Sequence, residues 1–97
     1  MENLNKFAMG LWKFSNRIPE QELVELATEW AKDENYVSLY VRGTSKDQNG
    51  IGFAYKTLTK EEYDAYFDRT SDMLKRKFGN DLAGWDVGFE AIPVKGF

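Results

Sequence analysis

Histidine and cysteine are both absent from the 97 residues, and only two prolines occur. The missing histidine removes the side chain that most often serves as a general base near neutral pH. The missing cysteine removes the thiol nucleophile and any disulfide framework, and the two absences together leave few ligands for zinc, copper or haem. We therefore expect no metal centre, no cofactor and no catalytic residue, and we favour a binding protein over an enzyme.

Long hydrophobic segments are also lacking. The longest uninterrupted apolar run extends only from Phe7 to Trp12, far short of the ~20 residues that span a bilayer. The first residues lack the basic region and the apolar stretch of a secretory signal. We expect one domain over residues 1–97, with a C-terminal tail at 92–97, a cytoplasmic location and no membrane partner.

Aromatic residues, in contrast, are plentiful, with three tryptophans, five tyrosines and seven phenylalanines. Hydrophobic residues make up 42% of the chain and charged residues 30%, a balance typical of a folded domain. The net charge of −3 is unevenly distributed, because the segment from Pro19 to Asn35 carries six acidic residues against Lys32 alone. We expect an acidic first helix and a more basic set of strands and loops.

Apolar periodicity and turn residues predict six elements. Strands are expected at 6–14, 36–42, 51–57 and 84–91, and helices at 19–32 and from the capping box of Thr59 and Glu62 to Gly79. A short helix is the alternative for 6–14, and a polar loop at 43–50 ends in the turn dipeptide Asn49-Gly50. The βαββαβ order predicts an α+β fold of the ferredoxin-like type, with a four-stranded antiparallel sheet, two helices on one face and an open opposite face.

Alternation along each strand divides the side chains between these two faces. We predict that the residues facing the helices are Phe7, Met9, Leu11, Val37, Leu39, Val41, Ile51, Phe53, Tyr55, Trp85, Val87 and Phe89. The open face then has a floor of small residues, Ala8, Gly10, Gly52, Ala54 and Gly88, with aromatic walls. A competing prediction is that the tail from Pro93 to Phe97 covers this face.

An apolar sheet face on a small domain is usually covered by a partner. We therefore predict a non-catalytic protein-interaction or regulatory module, for example a small inhibitor, that uses the open face either as a homodimer or docked on a larger protein. Rings supply contact area and cations supply rim contacts in such interfaces. The predicted binding residues are Trp12, Phe14, Tyr36, Tyr40, Arg42 and Lys56.

The segment from Asn49 to Lys56 resembles the RNP1 motif of RNA-recognition motifs. Gly50, Gly52 and Phe53 match the motif, whereas Lys56 stands where the motif ends in an aromatic residue. The resemblance implies a module that binds single-stranded RNA or DNA by stacking bases on strand aromatics. It requires Phe53 to face the open side of the sheet, which is the reverse of the register predicted above.

Carboxylates recur at helical spacing in both predicted helices. Glu22, Glu25 and Glu29 form an acidic face on the first helix that could contact a basic partner, although a solvated helix face is the explanation we favour. Asp64, Asp68 and Asp72 of the second helix have a spacing that could bring carboxylates around a hard cation. Pairing of Asp72 with Lys75 or Arg76 is the explanation we favour, so no metal site is predicted.

An enzymatic alternative rests on fold analogy alone. Small dimeric α/β-barrel enzymes share the predicted fold class, and an aromatic groove could hold and turn over, or merely carry, an aromatic ligand. The chain contains none of the common nucleophile or phosphate-loop motifs. This alternative therefore names no catalytic residue.

Overall fold

The computed structural model describes residues 6–57 and 59–91, and for residues 44, 45, 80 and 83–91 it describes the backbone only. Along the chain the elements are β1 (Lys6–Phe14), α1 (Glu20–Trp30), β2 (Tyr36–Ser45), β3 (Gln48–Thr57), α2 (Lys60–Phe78) and β4 (Leu82–Ala91), with a 3-10 turn at Gly79–Asp81. β1 is a strand, so the helical alternative for 6–14 is wrong. The tail at 92–97, and its predicted cover of the sheet, lie outside the described residues.

The strands form one antiparallel sheet in the order β2-β3-β1-β4. The central strands β1 and β3 pair continuously from Lys6 opposite Thr57 to Phe14 opposite Asn49. β2 flanks β3, and the backbone of β4 pairs with the other side of β1. The predicted α+β class, with an antiparallel sheet and two helices, is confirmed, and the arrangement is compatible with a ferredoxin-like one.

Helix α1 begins directly after Pro19, whose fixed backbone angle suits a helix start. Leu23 is fully buried, and Leu26, Ala27 and Trp30 pack against the core. The helical spacing predicts these four residues and Ala31 for the buried face, but Ala31 follows the end of the helix and is exposed. The opposite face of α1 carries the acidic residues and is exposed to solvent.

The turn between β2 and β3 is tighter than the sequence predicted. β2 continues to Ser45 and β3 begins at Gln48, so only Lys46 and Asp47 connect the strands. The dipeptide Asn49-Gly50, predicted as the end of a loop, lies inside β3. The prediction of a loop over 43–50 is therefore wrong.

The side chain of Asn49 forms hydrogen bonds that explain why this polar residue lies inside the strand. Its side chain is buried, its Oδ1 accepts the backbone N–H of Ile18 at 3.0 Å, and its Nδ2 donates to the carbonyl of Ile18 at 2.8 Å. Both polar groups of the Ile18 backbone are thereby satisfied away from water. Asn49 holds the segment that leads into α1 against the sheet.

Helix α2 has the predicted capping box. Thr59 Oγ1 accepts the N–H of Glu62 at 3.2 Å, and the Glu62 carboxylate accepts the N–H of Thr59 at 3.0 Å. Gly79 ends the helix with a φ of 58°, a left-handed conformation that glycine adopts without strain.

In the described part of the chain, neither helix is long and apolar enough to cross a membrane.

Candidate functional site

In the structure, the side chains of β1 point to the faces opposite to those predicted. Trp12 and Phe14, predicted as binding residues on the open face, are fully buried on the helix side. The Trp12 ring stacks on Phe53 with 5.6 Å between centroids and lies 5.6 Å from Phe67 of α2. Phe14 meets Phe78 edge-on at 4.8 Å. Both residues belong to the core, and their predicted placement is wrong.

The reason is that β1 is apolar on both of its faces. Alternation alone does not choose between the set with Phe7, Met9 and Leu11 and the set with Trp12 and Phe14. Burying the second set removes two large rings from water, at about 25 cal/mol for each Å² of apolar surface. Phe7, Met9 and Leu11, predicted to face the helices, consequently lie on the opposite face.

Tyr36, also predicted as an outward binding residue, packs beneath the helices. Its ring stacks on Trp30 with 5.7 Å between centroids and 4° between planes. Its hydroxyl lies 3.0 Å from the hydroxyl of Tyr66 in α2. The outward placement of Tyr36 is therefore wrong.

A bulge in β2 accounts for this error. The pairing of β2 with β3 shifts register between Tyr36 and Ser38, and such a shift changes which side chains point to each face. Val37, predicted to face the helices, is 50% exposed. Leu39 and Val41, beyond the bulge, pack against the core as predicted.

We call the face turned away from the helices the sheet face. In its described part it consists of Phe7, Met9, Leu11 and Lys13 of β1, Gly50, Gly52, Ala54 and Lys56 of β3, and Ser38, Tyr40 and Arg42 of β2. Along β4 the backbone of Gly88 pairs with Met9 and that of Asp86 pairs with Leu11. The side chains of Trp85, Val87 and Phe89, predicted to face the helices, lie outside the described part.

Tyr40 is the prominent exposed ring of the described sheet face, with 48% of its surface accessible. It pairs across the strands with Gly52, and a side-chain carbon at Gly52 would collide with the Tyr40 ring. The ring therefore lies over Gly52, which leaves room for it. Gly52 and Ala54 form part of the predicted floor, whereas Ala8 and Gly10 lie on the helix side.

Three cations lie on the same face as this ring, at Lys13, Arg42 and Lys56. Arg42 and Lys56 are exposed and Lys13 is half-buried. None of the three forms an ion pair with a described residue. Along β1, β2 and β3 the sheet face carries no carboxylate side chain. Tyr40, Arg42 and Lys56 are thus the predicted binding residues that the structure brings together on one surface.

The RNP1 resemblance fails at its aromatic position. Phe53 is only 2% exposed, and it packs on Trp12 and on Tyr66 at 5.7 Å. On the sheet face its neighbours Gly52 and Ala54 present no ring. The strand therefore has the glycine spacing of the motif without a side chain on which a base could stack.

The acidic residues of α1 lie on a solvated helix face. Glu22, Glu25 and Glu29 are all exposed. Glu25 accepts a hydrogen bond from Gln21 at 3.1 Å, and Glu29 forms an ion pair with Lys32 at 3.0 Å. The predicted contact of this face with a partner stays a prediction.

The carboxylates of α2 are engaged locally. Asp64 pairs with Lys60 at 2.9 Å, and Asp72 pairs with Arg76 at 2.9 Å, as the helical spacing predicts for Asp72. Within residues 6–57 and 59–91, no group of three or more side chains is arranged to hold a metal ion.

A cluster of three tyrosines lies between α2 and the sheet. The rings of Tyr55 and Tyr66 stack at 4.1 Å, and Tyr36 meets them edge-on at 4.8 Å and 6.0 Å. Burial raises the pKa of Tyr66 to about 12 and also raises the pKa of Tyr36. These two phenols stay protonated near neutral pH, so they serve as hydrogen-bonding groups and not as bases.

Beside this cluster lies a cavity of about 390 Å³, which we call the Arg69 cavity; it is lined by Asn35, Tyr55, Lys56, Glu62, Ala65 and Arg69. The Tyr55 hydroxyl donates to Asp33 Oδ2 at 3.0 Å and accepts from Asn35 Nδ2 at 3.3 Å and from Arg69 Nη2 at 3.4 Å. No sequence pattern pointed to Arg69, because an arginine on an amphipathic helix ordinarily extends into solvent. The packing of α2 on the sheet brings it to Tyr55.

No family model, no curated protein and no solved structure matches this chain. Its function must therefore be argued from the geometry of the sheet face and of the Arg69 cavity.

Proposed function

We propose that this chain is a non-catalytic protein-interaction module whose sheet face binds an acidic surface of a larger protein. One observation carries the proposal: Tyr40 is exposed over Gly52 on a face that has three cations and, along β1, β2 and β3, no carboxylate. In the same proposal we assign the full four-stranded ferredoxin-like architecture, because the strand order β2-β3-β1-β4 and the βαββαβ sequence of elements agree with it.

The composition of the sheet face suits a protein interface. Tyrosine, methionine and arginine are enriched at the centres of such interfaces, and the sheet face offers Tyr40, Met9 and Arg42. The Tyr40 ring is already held over Gly52, so little conformational entropy is lost when a partner packs on it. Tyr40 is therefore the expected anchor, with Met9 and Leu11 as its apolar surroundings.

Electrostatics favours an acidic partner over a second copy of the chain. A face-to-face homodimer would bring Lys13, Arg42 and Lys56 of one copy against a surface that carries the same three cations. Juxtaposed like charges oppose association, whereas an acidic surface would neutralise all three cations and speed the encounter. These cations give the sheet face its preference for a different protein.

Single-stranded nucleic acid is the competing anionic partner. Proteins that bind it combine a basic groove with several aromatic side chains on which successive bases stack. Here Phe53 and Trp12 are buried, and Tyr40 alone among the described sheet-face rings is well exposed. A surface with one accessible ring and an apolar floor fits an acidic protein better than a run of bases.

The test uses a random copolymer of glutamate and tyrosine as an acidic polypeptide probe. Titration into isotope-labelled protein should shift the amide resonances of β1, β2 and β3 around Met9 and Tyr40, with an affinity that falls as salt is added. Tyr40→Ala should weaken binding by about tenfold, since truncating an anchor costs more than about 1 kcal/mol. Val24→Ala is the matched control, because Val24 is 43% exposed on α1, and it should leave the affinity unchanged.

Three results would overturn the proposal. The first is a shift map that falls on the helices instead of the sheet face. The second is tighter binding of oligouridylate than of the copolymer at the same face, which would assign the surface to nucleic acid. The third is concentration-dependent dimerisation that buries Tyr40, which would assign it to a second copy of the chain.

A further inference from the structure

We infer that the Arg69 cavity is a binding site for a small carboxylate ligand. Its arginine and amide donors, Arg69 and Asn35, converge beside the Tyr55 hydroxyl. The cavity lies on the helix side of the sheet and shares only Lys56 with the sheet face, so this inference does not rest on the partner proposed for that face. Its volume of about 390 Å³ falls within the range of about 300–1,000 Å³ that is common for small-molecule pockets.

Arg69 has donors to spare. A guanidinium carries five N–H groups, and among the described residues Arg69 donates one hydrogen bond, to the Tyr55 hydroxyl at 3.4 Å, and lies over the Tyr66 ring at 6.0 Å from its centroid. It forms no ion pair with a described carboxylate. A ligand carboxylate would accept two parallel N–H bonds from this fork, which are shorter and stronger than the long contact to a phenol.

Asn35 is held in place to supply a second donor. The backbone carbonyl of Asn35 accepts the backbone N–H of Lys56 at 2.8 Å, and the backbone N–H of Asn35 donates to Asp33 Oδ1 at 2.9 Å. The side-chain amide has two N–H bonds, of which one is directed to Tyr55 at 3.3 Å. The second N–H is available to a ligand, and the fixed backbone lowers the entropy lost when it binds.

The charges around the cavity favour a ligand with one negative charge over a ligand with two. Glu62 lines the cavity, and Asp33 adjoins it through the hydrogen bond from Tyr55. A doubly charged phosphate would bring two negative charges beside these carboxylates, whereas a carboxylate monoanion brings one, which faces the cations Arg69 and Lys56. The Tyr55 hydroxyl has its single hydrogen committed to Asp33 and does not compete for the ligand. Ala65 and the Tyr55 ring leave an apolar wall for a short hydrocarbon or aromatic body.

The test titrates sodium benzoate into the labelled full-length protein, with benzamide as the neutral isostere and inorganic phosphate as the dianion. Benzoate should bind saturably and shift the amides of Asn35, Lys56 and Arg69, with benzamide and phosphate at least about tenfold weaker. Arg69→Gln should weaken benzoate by about tenfold, because it removes a charged hydrogen-bond donor. Arg76→Gln is the matched control, since Arg76 lies on the same helix and pairs with Asp72.

Circular dichroism of both variants should match that of the wild-type protein, which checks that they remain folded. Benzoate binding that is equal in Arg69→Gln and Arg76→Gln, or no tighter than benzamide binding, would overturn the inference, as would preferential binding of phosphate. Absence of saturable benzoate binding to the wild-type protein would also overturn it. Arg42→Gln, on the sheet face, should leave benzoate affinity unchanged, so failure of this site and failure of the proposed protein interface give separate results.

Discussion

At the scale of single residues, the exposed fraction of an aromatic side chain, and not its residue type, distinguishes a core residue from a candidate binding residue. Trp12 and Tyr40 are both aromatic strand residues, yet Trp12 is fully buried between the sheet and α2 while Tyr40 is 48% exposed over a glycine. The first residue contributes to the stability of the fold, and the second is the proposed anchor of the sheet face.

Truncation of these two rings should therefore lower the free energy of unfolding by very different amounts. Trp12→Ala leaves a large cavity in the core and should lower the free energy of unfolding by about 3–5 kcal/mol. Tyr40→Ala should lower it by less than about 1 kcal/mol, because the ring is half exposed. Urea denaturation of both variants measures the difference. Equal losses would contradict the assignment of Trp12 to the core and Tyr40 to the surface.

Asn49 should contribute more to the free energy of unfolding than an exposed asparagine does. Asn49→Ala leaves the buried N–H and carbonyl of Ile18 without their partners, at about 1–3 kcal/mol for each unsatisfied group. Asn16→Ala is the control, because Asn16 donates to the Asp81 carboxylate at 2.9 Å in an exposed position, and it should cost about 1 kcal/mol or less. Thermal or urea unfolding that ranks the two variants equally would refute this role.

The tyrosine cluster predicts a loss of stability at alkaline pH. The pKa of Tyr66 is raised by burial from 10.0 to about 12, so the folded state retains a proton that the unfolded state releases. The resulting stability, about 2–3 kcal/mol, is fully present below pH 10 and is lost as the pH rises toward 12.

Unfolding free energies measured by urea across this range should fall in the wild-type protein and fall less steeply in Tyr66→Phe, which has no phenol to ionise. The comparison between the two proteins cancels the titration of lysines in the same range. Equal slopes would show that Tyr66 does not titrate in the expected way.

At the scale of helices and strands, the sequence predicted the order of elements and the ends of α2 correctly. Apolar periodicity and the residues Thr59, Glu62 and Gly79 are local signals that act within a few residues. The sequence could not predict which side chains of β1 point toward the helices, because both faces of the strand are apolar. Packing of the helices determines which face is buried. The bulge near Tyr36 was equally invisible, since an alternating pattern contains no sign of a register shift.

The capping box offers a test of one such local signal. Thr59→Ala removes the acceptor for the Glu62 N–H and should destabilise the protein by about 1 kcal/mol. Thr28→Ala is the matched control, because Thr28 is exposed within α1 and bonds only the carbonyl of Val24 at 2.7 Å, a contact that does not stabilise a helix. A smaller loss for Thr59→Ala than for Thr28→Ala, measured by thermal unfolding, would contradict the role of the cap.

At the scale of the whole molecule, two candidate binding surfaces lie on opposite sides of one sheet. The sheet face carries Tyr40 with three cations that form no ion pair to a described side chain, and the helix side carries the Arg69 cavity. Sequence reasoning found Tyr40, Arg42 and Lys56, because strand alternation placed them together. It did not find Arg69, since that site depends on how α2 packs against Tyr55 and the end of α1.

The most direct test of the sheet-face proposal compares two arginines under the same substitution. Arg42→Gln removes an unpaired cation from the sheet face, and Arg76→Gln removes a paired cation from α2. The dissociation constant for the glutamate–tyrosine copolymer should rise by about fivefold in Arg42→Gln, equivalent to about 1 kcal/mol, and stay unchanged in Arg76→Gln. An equal rise in both variants, or no rise in either, would contradict the proposal that the sheet face recognises an acidic protein.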